Sequence, residues 1–299
     1  MDIVTGVDIG GSHISCAQVD LAKKEIVPDT LCRKAVNSKE QADVVIGQWC
    51  ECIQESQSKA GVSGTQLGIA IPAPFDYDEG VCLIKNQDKF DLLYNVNIKT
   101  QLAERLGIER CDIAMQNDAS CFMLGEMIVG AGKDFEYALG VTLGTGLGSA
   151  SAKGMNIQDA GLWNTPFRDS IAEEYISNRW FLNSYFERSG LRFPGVKELA
   201  KHAETDSTAR DLFIEFGDSL GQFIEIAMEQ VNYNPQVIIL GGNIAKSNHL
   251  FLDATQTYLS NKQIELPIKI AELGELSAIY GAAGLWKNLN FSGNSLPQL

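Results

Sequence analysis

The sequence predicts an α/β protein built from two related domains. Stretches with strand and helix patterns alternate along the whole chain. A strand, a glycine turn and a second strand open the chain around residues 7–12, and a similar pattern recurs at residues 140–146. A repeat of this kind indicates two related domains facing each other.

Composition places the chain among globular proteins and excludes several classes of function. Of its 299 residues 45% are hydrophobic and 21% charged, and the formal net charge is -14. So acidic a surface repels phosphate backbones, and we expect no nucleic-acid partner. No apolar run is long enough to span a bilayer, and the N-terminus lacks a signal-peptide pattern, so we expect a cytoplasmic protein without a membrane partner.

Short apolar runs and helical periodicity give the elements of the first half. The expected strands end at glycine or proline, since Gly10 follows the first and Pro72 stops the third. We expect the helix from 119 to close with Gly130 and Gly132. The predicted strands are 3–8, 14–19, 67–71 and 111–115, and the predicted helices are 39–60, 96–106 and 119–129.

The second half repeats the alternation and contains the longest predicted helix. In residues 208–232 apolar positions recur every three or four residues, which is one face of a 3.6-residue period. The predicted strands are 137–143, 149–152, 237–240 and 268–271. We expect a last helix at 277–286 and a tail that frays from Asn290.

The first glycine turn has the composition of an anion site. Gly10 and Gly11 let the backbone approach a ligand closely, and successive free N–H groups form a concavity that binds anions. Ser12 adds a hydroxyl donor, and Asp8 could hold a hydrated Mg²⁺ against phosphates. An ordinary hairpin turn explains the same residues equally well.

The second turn superficially resembles the dinucleotide-binding pattern, but we reject that interpretation. Gly144, Thr145 and Gly146 belong to G-T-G-L-G, in which the third glycine comes one position early and the next residues favour a return strand over a helix. The Walker pattern G-x-x-x-x-G-K-[ST] is absent from the sequence.

Two further candidates follow predicted strands. Asn117 and Asp118 come at the C-terminal end of a strand, where α/β proteins bind ligands, although Asp118 as the N-cap of the next helix is sufficient explanation by itself. Gly241 and Gly242 follow the apolar strand at 237–240. They fit close contact with a flat ring or ribose, and equally a turn that needs glycine for packing.

The seven cysteines give no metal or disulfide pattern. Cys50 and Cys52 form C-x-C, but no second pair follows at zinc-ligand spacing, so buried reduced thiols are the favoured interpretation. His13 adjoins the first glycine turn and could touch a phosphate, although a packing or surface role is favoured.

Taken together, five segments resemble the ROK family (repressors, open reading frames and kinases) of actin-like sugar kinases. They occur in the family's order and span nearly the whole chain. The matching segments are 8–12, 117–119 with 124–126, 143–148, 239–242 and 280–285.

The resemblance implies a fold of two actin-like (ribonuclease H-like) α/β domains with a cleft between them. The expected domains are 1–117 plus 285–299, and 118–284. It implies an ATP-dependent kinase that phosphorylates a hydroxyl of a hexose or amino sugar, with Mg²⁺ as cofactor. Asp118 would be the general base and Asn117 a sugar ligand. The phosphate and nucleotide contacts would come from Asp8, Gly10, Gly11, Ser12, Gly144, Thr145, Gly146, Gly241 and Gly242, with Asp8 also on the metal.

The chain departs from the family pattern around the acceptor site. Residues 150–177 hold no Cys and no His, so the family's zinc motif is absent and we expect no zinc. The usual Glu-x-Gly-His sugar clamp is missing. Trp163 or Asn164 could contact a sugar there, or pack in the core. Glu173 matches the family's later glutamate by spacing and is the expected sugar ligand, with Glu174 as the alternative.

The altered clamp keeps a second function open. The chain could bind a sugar or nucleotide without catalysis, as a sensor or partner subunit. No N-terminal helix-turn-helix precedes the first strand, which argues against a DNA-binding regulator. Dimers are usual in the family, so a homodimer is a further expectation.

Overall fold

The computed structural model describes residues 3–61, 66–87 and 89–287, and the tail predicted to fray from Asn290 lies outside them. Fifteen strands occur in the described part of the chain. They are β1 Ile3–Ile9, β2 His13–Asp20, β3 Glu25–Ile26, β4 Cys32–Ala35, β5 Leu67–Ile71, β6 Phe75–Asp76, β7 Val81–Cys82, β8 Ile113–Asn117, β9 Tyr137–Leu143, β10 Leu147–Lys153, β11 Asn156–Asp159, β12 Pro166–Phe167, β13 Ser170–Ile171, β14 Val237–Gly241 and β15 Ile268–Ile270.

Nine α-helices accompany the strands within the same residues. They are α1 Ala42–Ala60, α2 Ile98–Leu106, α3 Asp118–Ile128, α4 Ala172–Tyr175, α5 Asn178–Ser189, α6 Val196–His202, α7 Ser207–Gln230, α8 Leu252–Asn261 and α9 Ser277–Gly284. No helix among the described residues is long and apolar enough to cross a membrane.

Two sheets share one pattern of strand order and direction. In the first sheet, β2 pairs antiparallel with β1, β1 pairs parallel with β5, and β5 pairs parallel with β8. In the second, β10 pairs antiparallel with β9, followed by the parallel neighbours β14 and β15. The repeat predicted from the two glycine hairpins is therefore present in the topology.

The chain divides into two compact units. The first comprises 1–133, 155–157 and 275–299, and the second comprises 134–154 and 158–274. These units group α3 and α9 with the first sheet, whereas the sequence-based domain bounds put both helices in 118–284. Those bounds stay a prediction.

Each unit has its own apolar core. In the first unit α1 and α2 cover one face of the sheet, with Trp49 and Phe90 fully buried and in edge-to-face contact. The second core is rich in phenylalanine along α5 and α7, including Phe181, Phe213 and Phe216. A fully buried side chain of this size stabilises the fold by about 1.5–3 kcal/mol.

Helices α3 and α9 pack backbone against backbone. A Cβ added at Gly281 would lie 1.8 Å from the Cys121 carbonyl oxygen, and one at Gly125 would lie 2.0 Å from the Ser277 carbonyl oxygen. The Ser277 hydroxyl also donates a hydrogen bond of 2.6 Å to the buried carboxylate of Glu126. Only glycine permits this approach, which fixes α3 in the unit.

Most predicted elements are present, with shifted ends. The strand expected at 111–115 is β8, Ile113–Asn117, because Arg110–Asp112 forms a 3-10 helix. Strands β3 and β4 and helices α4 to α6 have no counterpart in the prediction. The last helix ends at Gly284, two residues before the expected end.

Candidate active site

The first glycine turn joins β1 to β2 as predicted. Gly10 N–H donates to the His13 carbonyl at 2.9 Å, and the Ser12 carbonyl accepts from Val36 N–H at 2.9 Å. Within the described residues the N–H groups of Gly11 and Ser12 donate to no protein acceptor. Ser12 is exposed. Two free donors on a partly exposed turn are suited to an anion.

His13 begins β2 beside this turn. Its Nδ1 lies 3.3 Å from the Ser12 hydroxyl oxygen. Burial and the nearby guanidinium of Arg33 lower the pKa of His13, and Glu275 opposes them. His13 is therefore neutral at neutral pH and can offer the turn a hydrogen bond but no positive charge.

Asp8 lies near the end of β1, partly exposed but densely surrounded by protein. Burial raises the pKa of Asp8 to about 7, and the carboxylates of Asp118 and Glu275 add to the rise, whereas Arg33 opposes it. Arg33 and Glu275 themselves form an ion pair. The structure thus brings Asp8 and Asp118 together, although 110 positions of sequence separate them.

Asn117 and Asp118 stand where β8 ends and α3 begins. The Asn117 Oδ1 accepts from Ser120 N–H at 3.1 Å, so Asn117 is the N-cap. The expectation that Asp118 caps the helix is wrong, because Asp118 is already in the first turn and its Oδ1 accepts from Ala119 N–H at 2.9 Å. Capping alone therefore does not explain an aspartate at position 118.

The environment of Asp118 includes a lysine that no sequence motif had indicated. Burial raises the pKa of Asp118, and the ammonium group of Lys89 partly offsets that rise. The stem of Lys89 also lies against the glycine turn, since its Cβ and Cδ are 3.6 Å from the Cβ position of Gly11. Lys89 comes from the irregular segment before the 3-10 helix Asp91–Leu93, which carries no periodicity or glycine pattern. One lysine thus neighbours both the turn and the carboxylate.

The second unit contains the other glycine turn, between β9 and β10. Gly144 N–H donates to the Gly146 carbonyl at 3.1 Å, and the chain continues as a strand from Leu147. A dinucleotide fingerprint would open a helix at this point, so its rejection is confirmed.

Glu173 lies against this turn. Its Oε2 accepts from Leu147 N–H at 3.0 Å and lies 2.6 Å from the position of a Cβ on Gly146. The carboxylate therefore supports the turn and leaves no room for a side chain at 146. Thr145 lies between the two glycines and is exposed. A role of Glu173 as a sugar ligand stays a prediction.

Gly241 ends β14, and Gly242 follows in the left-handed region with φ 85°. A Cβ at Gly242 would lie 2.3 Å from the Leu143 carbonyl oxygen, at the start of the Gly144 turn. The close approach by itself requires glycine there. A nucleotide contact for Gly241 and Gly242 stays a prediction.

The altered clamp segment forms a 3-10 helix, Leu162–Asn164. Trp163 is 47% exposed and Asn164 is exposed too. Of the two interpretations of these residues, packing in the core is wrong.

Among the described residues, the metal-ligating side chains that cluster in a group of three are Cys16, Cys32 and Cys52, all buried. Their positions give no zinc-ligand spacing in sequence, so the sequence could not have indicated that they meet. They lie on β2, β4 and α1, and Cys52 is the one member of the C-x-C pair that joins them.

Comparisons with known proteins agree with the motifs. The ROK family model matches residues 4–159 and 168–289. An N-acetyl-D-glucosamine kinase of Mannheimia succiniciproducens is 27% identical over 319 residues, which cover 94% of this chain and 98% of that protein.

Solved structures with the same fold include sugar kinases. A ROK hexokinase from Thermus thermophilus superposes with a TM-score of 0.75 at 23% identity, over 94% of this chain and 96% of that one. A ROK glucokinase from Streptomyces griseus, solved with glucose and AMPPNP, gives a TM-score of 0.75 at 21% identity, over 95% and 98%. The expected actin-like α/β fold is confirmed, and because the family model covers nearly all of the chain, this protein belongs to the ROK family.

Proposed function

We propose that the protein is an ATP-dependent sugar kinase, which transfers the γ-phosphate of ATP to a hydroxyl of a hexose or amino sugar. The observation that carries the proposal is the placement of Asp118 beside Asp8 and Lys89 at one end of the first sheet. The named relative is an N-acetyl-D-glucosamine kinase, which supports the same class of acceptor.

Asp118 is the general base in this proposal. A base is most effective when its pKa approaches the working pH, and burial moves the pKa of Asp118 in that direction. Ala119 N–H holds its Oδ1, and the carboxylate keeps further lone pairs that can accept the proton of a sugar hydroxyl. Asn117 uses Oδ1 as the cap, which leaves its amide N–H₂ group to hold the acceptor.

Each unit carries donors that are suited to phosphate. In the first unit the N–H groups of Gly11 and Ser12 and the Lys89 ammonium group offer positive charge close to Asp118. In the second unit the turn at Gly144, Thr145 and Gly146 offers the N–H groups of Thr145 and Gly146, and Gly241 and Gly242 would contact the nucleoside through backbone that carries no side chain. When bound, ATP supplies the phosphoryl group, whose transfer depends mainly on positioning and charge neutralisation.

Asp8 fits the role of a magnesium ligand. Its raised pKa reports that negative charge is unfavourable at this position next to Asp118 and Glu275, and a divalent cation relieves that cost. A carboxylate oxygen is also the ligand type that Mg²⁺ prefers, usually with several waters retained. When bound, Mg²⁺ neutralises charge on the phosphates.

A non-catalytic sugar- or nucleotide-binding protein is the second candidate. It is favoured by the acceptor segment, where the Glu-x-Gly-His clamp is missing and one oxygen of Glu173 is committed to Leu147 N–H. Against it stand Asp118 and both glycine turns, which a protein without catalysis has no reason to retain.

The test is sugar-dependent release of ADP by the purified chain over a panel of hexoses and amino sugars. We expect turnover with at least one sugar, and a loss of roughly 10²–10⁴-fold in kcat for Asp118→Asn with ATP binding retained. Asp112→Asn, at the opposite end of β8, is the matched control and should keep its activity. Full activity of Asp118→Asn would remove Asp118 from its role. Sugar binding without any ADP release by the unmodified chain would favour the non-catalytic candidate.

A further inference from the structure

Three thiols from three elements of the first unit meet in its interior. Cys16 and Cys32 face each other across the paired strands β2 and β4, and Cys52 comes from α1. The Cys52 Sγ lies 3.5 Å from the Cys16 Sγ and 3.2 Å from the Cys32 Sγ. All three sulfurs lie within 4.8 Å of one another, and the exposed fraction of each cysteine is 4% or less.

These separations are close to those of a metal–thiolate centre. Sulfurs bound at about 2.3 Å around a tetrahedral zinc ion lie about 3.8 Å apart. The Cys52–Cys16 pair at 3.5 Å and the Cys52–Cys32 pair at 3.2 Å are both shorter than that value, so the side chains must rotate slightly apart to hold an ion. Soft thiolate ligands select Zn²⁺ or Cu⁺ over Mg²⁺ and Ca²⁺.

A fourth ligand is available one turn further along α1. Glu55 follows Cys52 by three residues, which places both on one face of the helix. The carboxylate of Glu55 lies near the Cys32 thiol. The side chain of Glu55 is 42% exposed, so an ion can enter from solvent on this side.

The surrounding charge fits a divalent ion. Lys59 Nζ lies 3.0 Å and Lys34 Nζ 3.3 Å from the Glu55 carboxylate oxygens. Three thiolates and one carboxylate around a dication leave two negative charges, which Lys59 and Lys34 oppose, although Lys34 also lies 3.8 Å from the Glu51 carboxylate.

We propose that Cys16, Cys32, Cys52 and Glu55 bind one zinc ion that ties α1 to strands β2 and β4. The site is separate from the segment 150–177, which holds no Cys or His. Its ligands lie at positions 16, 32, 52 and 55, outside the candidate active site, so the ion would be structural. The inference does not rest on the proposed kinase activity.

The test is a titration of the reduced, metal-free full-length chain with Co²⁺, followed by Zn²⁺, in the absence of nucleotide and sugar. We expect one Co²⁺ per chain, with sulfur-to-metal charge-transfer absorption in the near ultraviolet and the visible bands of a tetrahedral ion. Zn²⁺ should then displace the cobalt and abolish both signals. Failure of the reduced chain to bind cobalt stoichiometrically with sulfur charge transfer would overturn the proposal.

Variants assign the ligands. Cys52→Ser should lose the charge-transfer band or bind at least roughly tenfold more weakly. Cys50→Ser is the matched control, because Cys50 is buried on the same helix two residues away and joins no group of metal-ligating side chains in the described part of the chain. It should titrate like the unmodified chain. If Cys52→Ser does not fold, X-ray absorption of the zinc-loaded unmodified chain decides, with three sulfur ligands expected. Fewer than two sulfur ligands, or equal binding by Cys52→Ser and the unmodified chain, contradicts the site.

Discussion

Asp8 and Asp118 are neighbouring carboxylates, and burial together with the charge of Asp118 raises the pKa of Asp8 to about 7. Asp8 is contributed by β1 and Asp118 by the start of α3, so the pair exists only in the folded chain. A pair of this kind makes folding and cation binding depend on pH near neutrality, because one carboxylate discourages ionisation of the other.

The first prediction concerns stability as a function of pH. An aspartate titrates near 3.9 in the unfolded chain, and Asp8 near 7 in the folded chain, so the folded state binds the extra proton between these values. The stability from protonated Asp8 is therefore fully present below about pH 4 and is lost as pH rises to about 7. Asp8→Asn removes this loss. At pH 8 we therefore expect the free energy of unfolding of the variant to exceed that of the unmodified chain by roughly 1–3 kcal/mol, a range that allows for the partial exposure of Asp8.

Chemical denaturation at pH 4 and pH 8, without Mg²⁺, measures this difference. The stability of Asp8→Asn relative to the unmodified chain should be greater at pH 8 than at pH 4. The control Asp112→Asn should show no such trend. An equal effect of Asp8→Asn at both pH values would show that charge at Asp8 is not unfavourable.

The second prediction concerns Lys89 and the pH profile of the kinase. Lys89 opposes the rise in the pKa of Asp118, so Lys89→Met should raise that pKa further. A base works only when deprotonated, and the acid limb of kcat should therefore move to higher pH. We also expect kcat at its optimum to fall roughly a hundredfold, because the variant loses a positive group beside the developing charge.

Lys89→Arg is the conservative control, since it keeps the charge and the packing of the stem against Gly11. It should restore the position of the acid limb and part of kcat. A pH profile unchanged in Lys89→Met would mean that Lys89 acts only by packing.

The third prediction separates two roles of Glu173. In Glu173→Ala the Leu147 N–H loses its acceptor, and we expect the free energy of unfolding to fall by about 1–3 kcal/mol. Glu173→Gln keeps an oxygen acceptor for Leu147 and should remain close to the unmodified chain in stability. If Glu173 also binds the sugar, Glu173→Gln should raise the KM for sugar with little change in the KM for ATP.

Denaturation and steady-state kinetics on the two variants supply both readouts. Equal destabilisation by Gln and Ala would argue against the hydrogen bond to Leu147 as the stabilising contact. An unchanged KM for sugar in Glu173→Gln would remove Glu173 from the acceptor site.

The parts of the fold that sequence could predict are those with local patterns. The two hairpins follow from apolar runs interrupted by glycine, and α7 follows from its 3.6-residue period. Helices α5 and α6 were missed because their apolar residues do not mark a clear face, although Trp180, Phe181 and Tyr185 are buried. Membership of the ROK family, inferred from five motifs in order, is confirmed.

The residues of the candidate site also differ in whether a local sequence pattern could predict them. Asp8, Asp118 and the glycine turns lie in motifs and could be named in advance. Lys89 and Glu275 could not, because each comes from a segment without periodicity and meets Asp8 or Asp118 only through the tertiary fold. The three cysteines are a similar case, since pairing of β2 with β4 brings Cys16 opposite Cys32, and β4 had not been predicted.

The contact between α3 and α9 determines the position of the proposed base from a distance. Asp118 begins a helix whose position is set where Gly125 meets Ser277 and Cys121 meets Gly281, with no side chain between the backbones. A single methyl group introduced at either glycine would push the two helices apart and shift the carboxylate, even though neither glycine touches a reactant. Substitutions in the acceptor loops are not subject to this constraint. The sugar specificity of such an enzyme can therefore change while the position of its base stays the same.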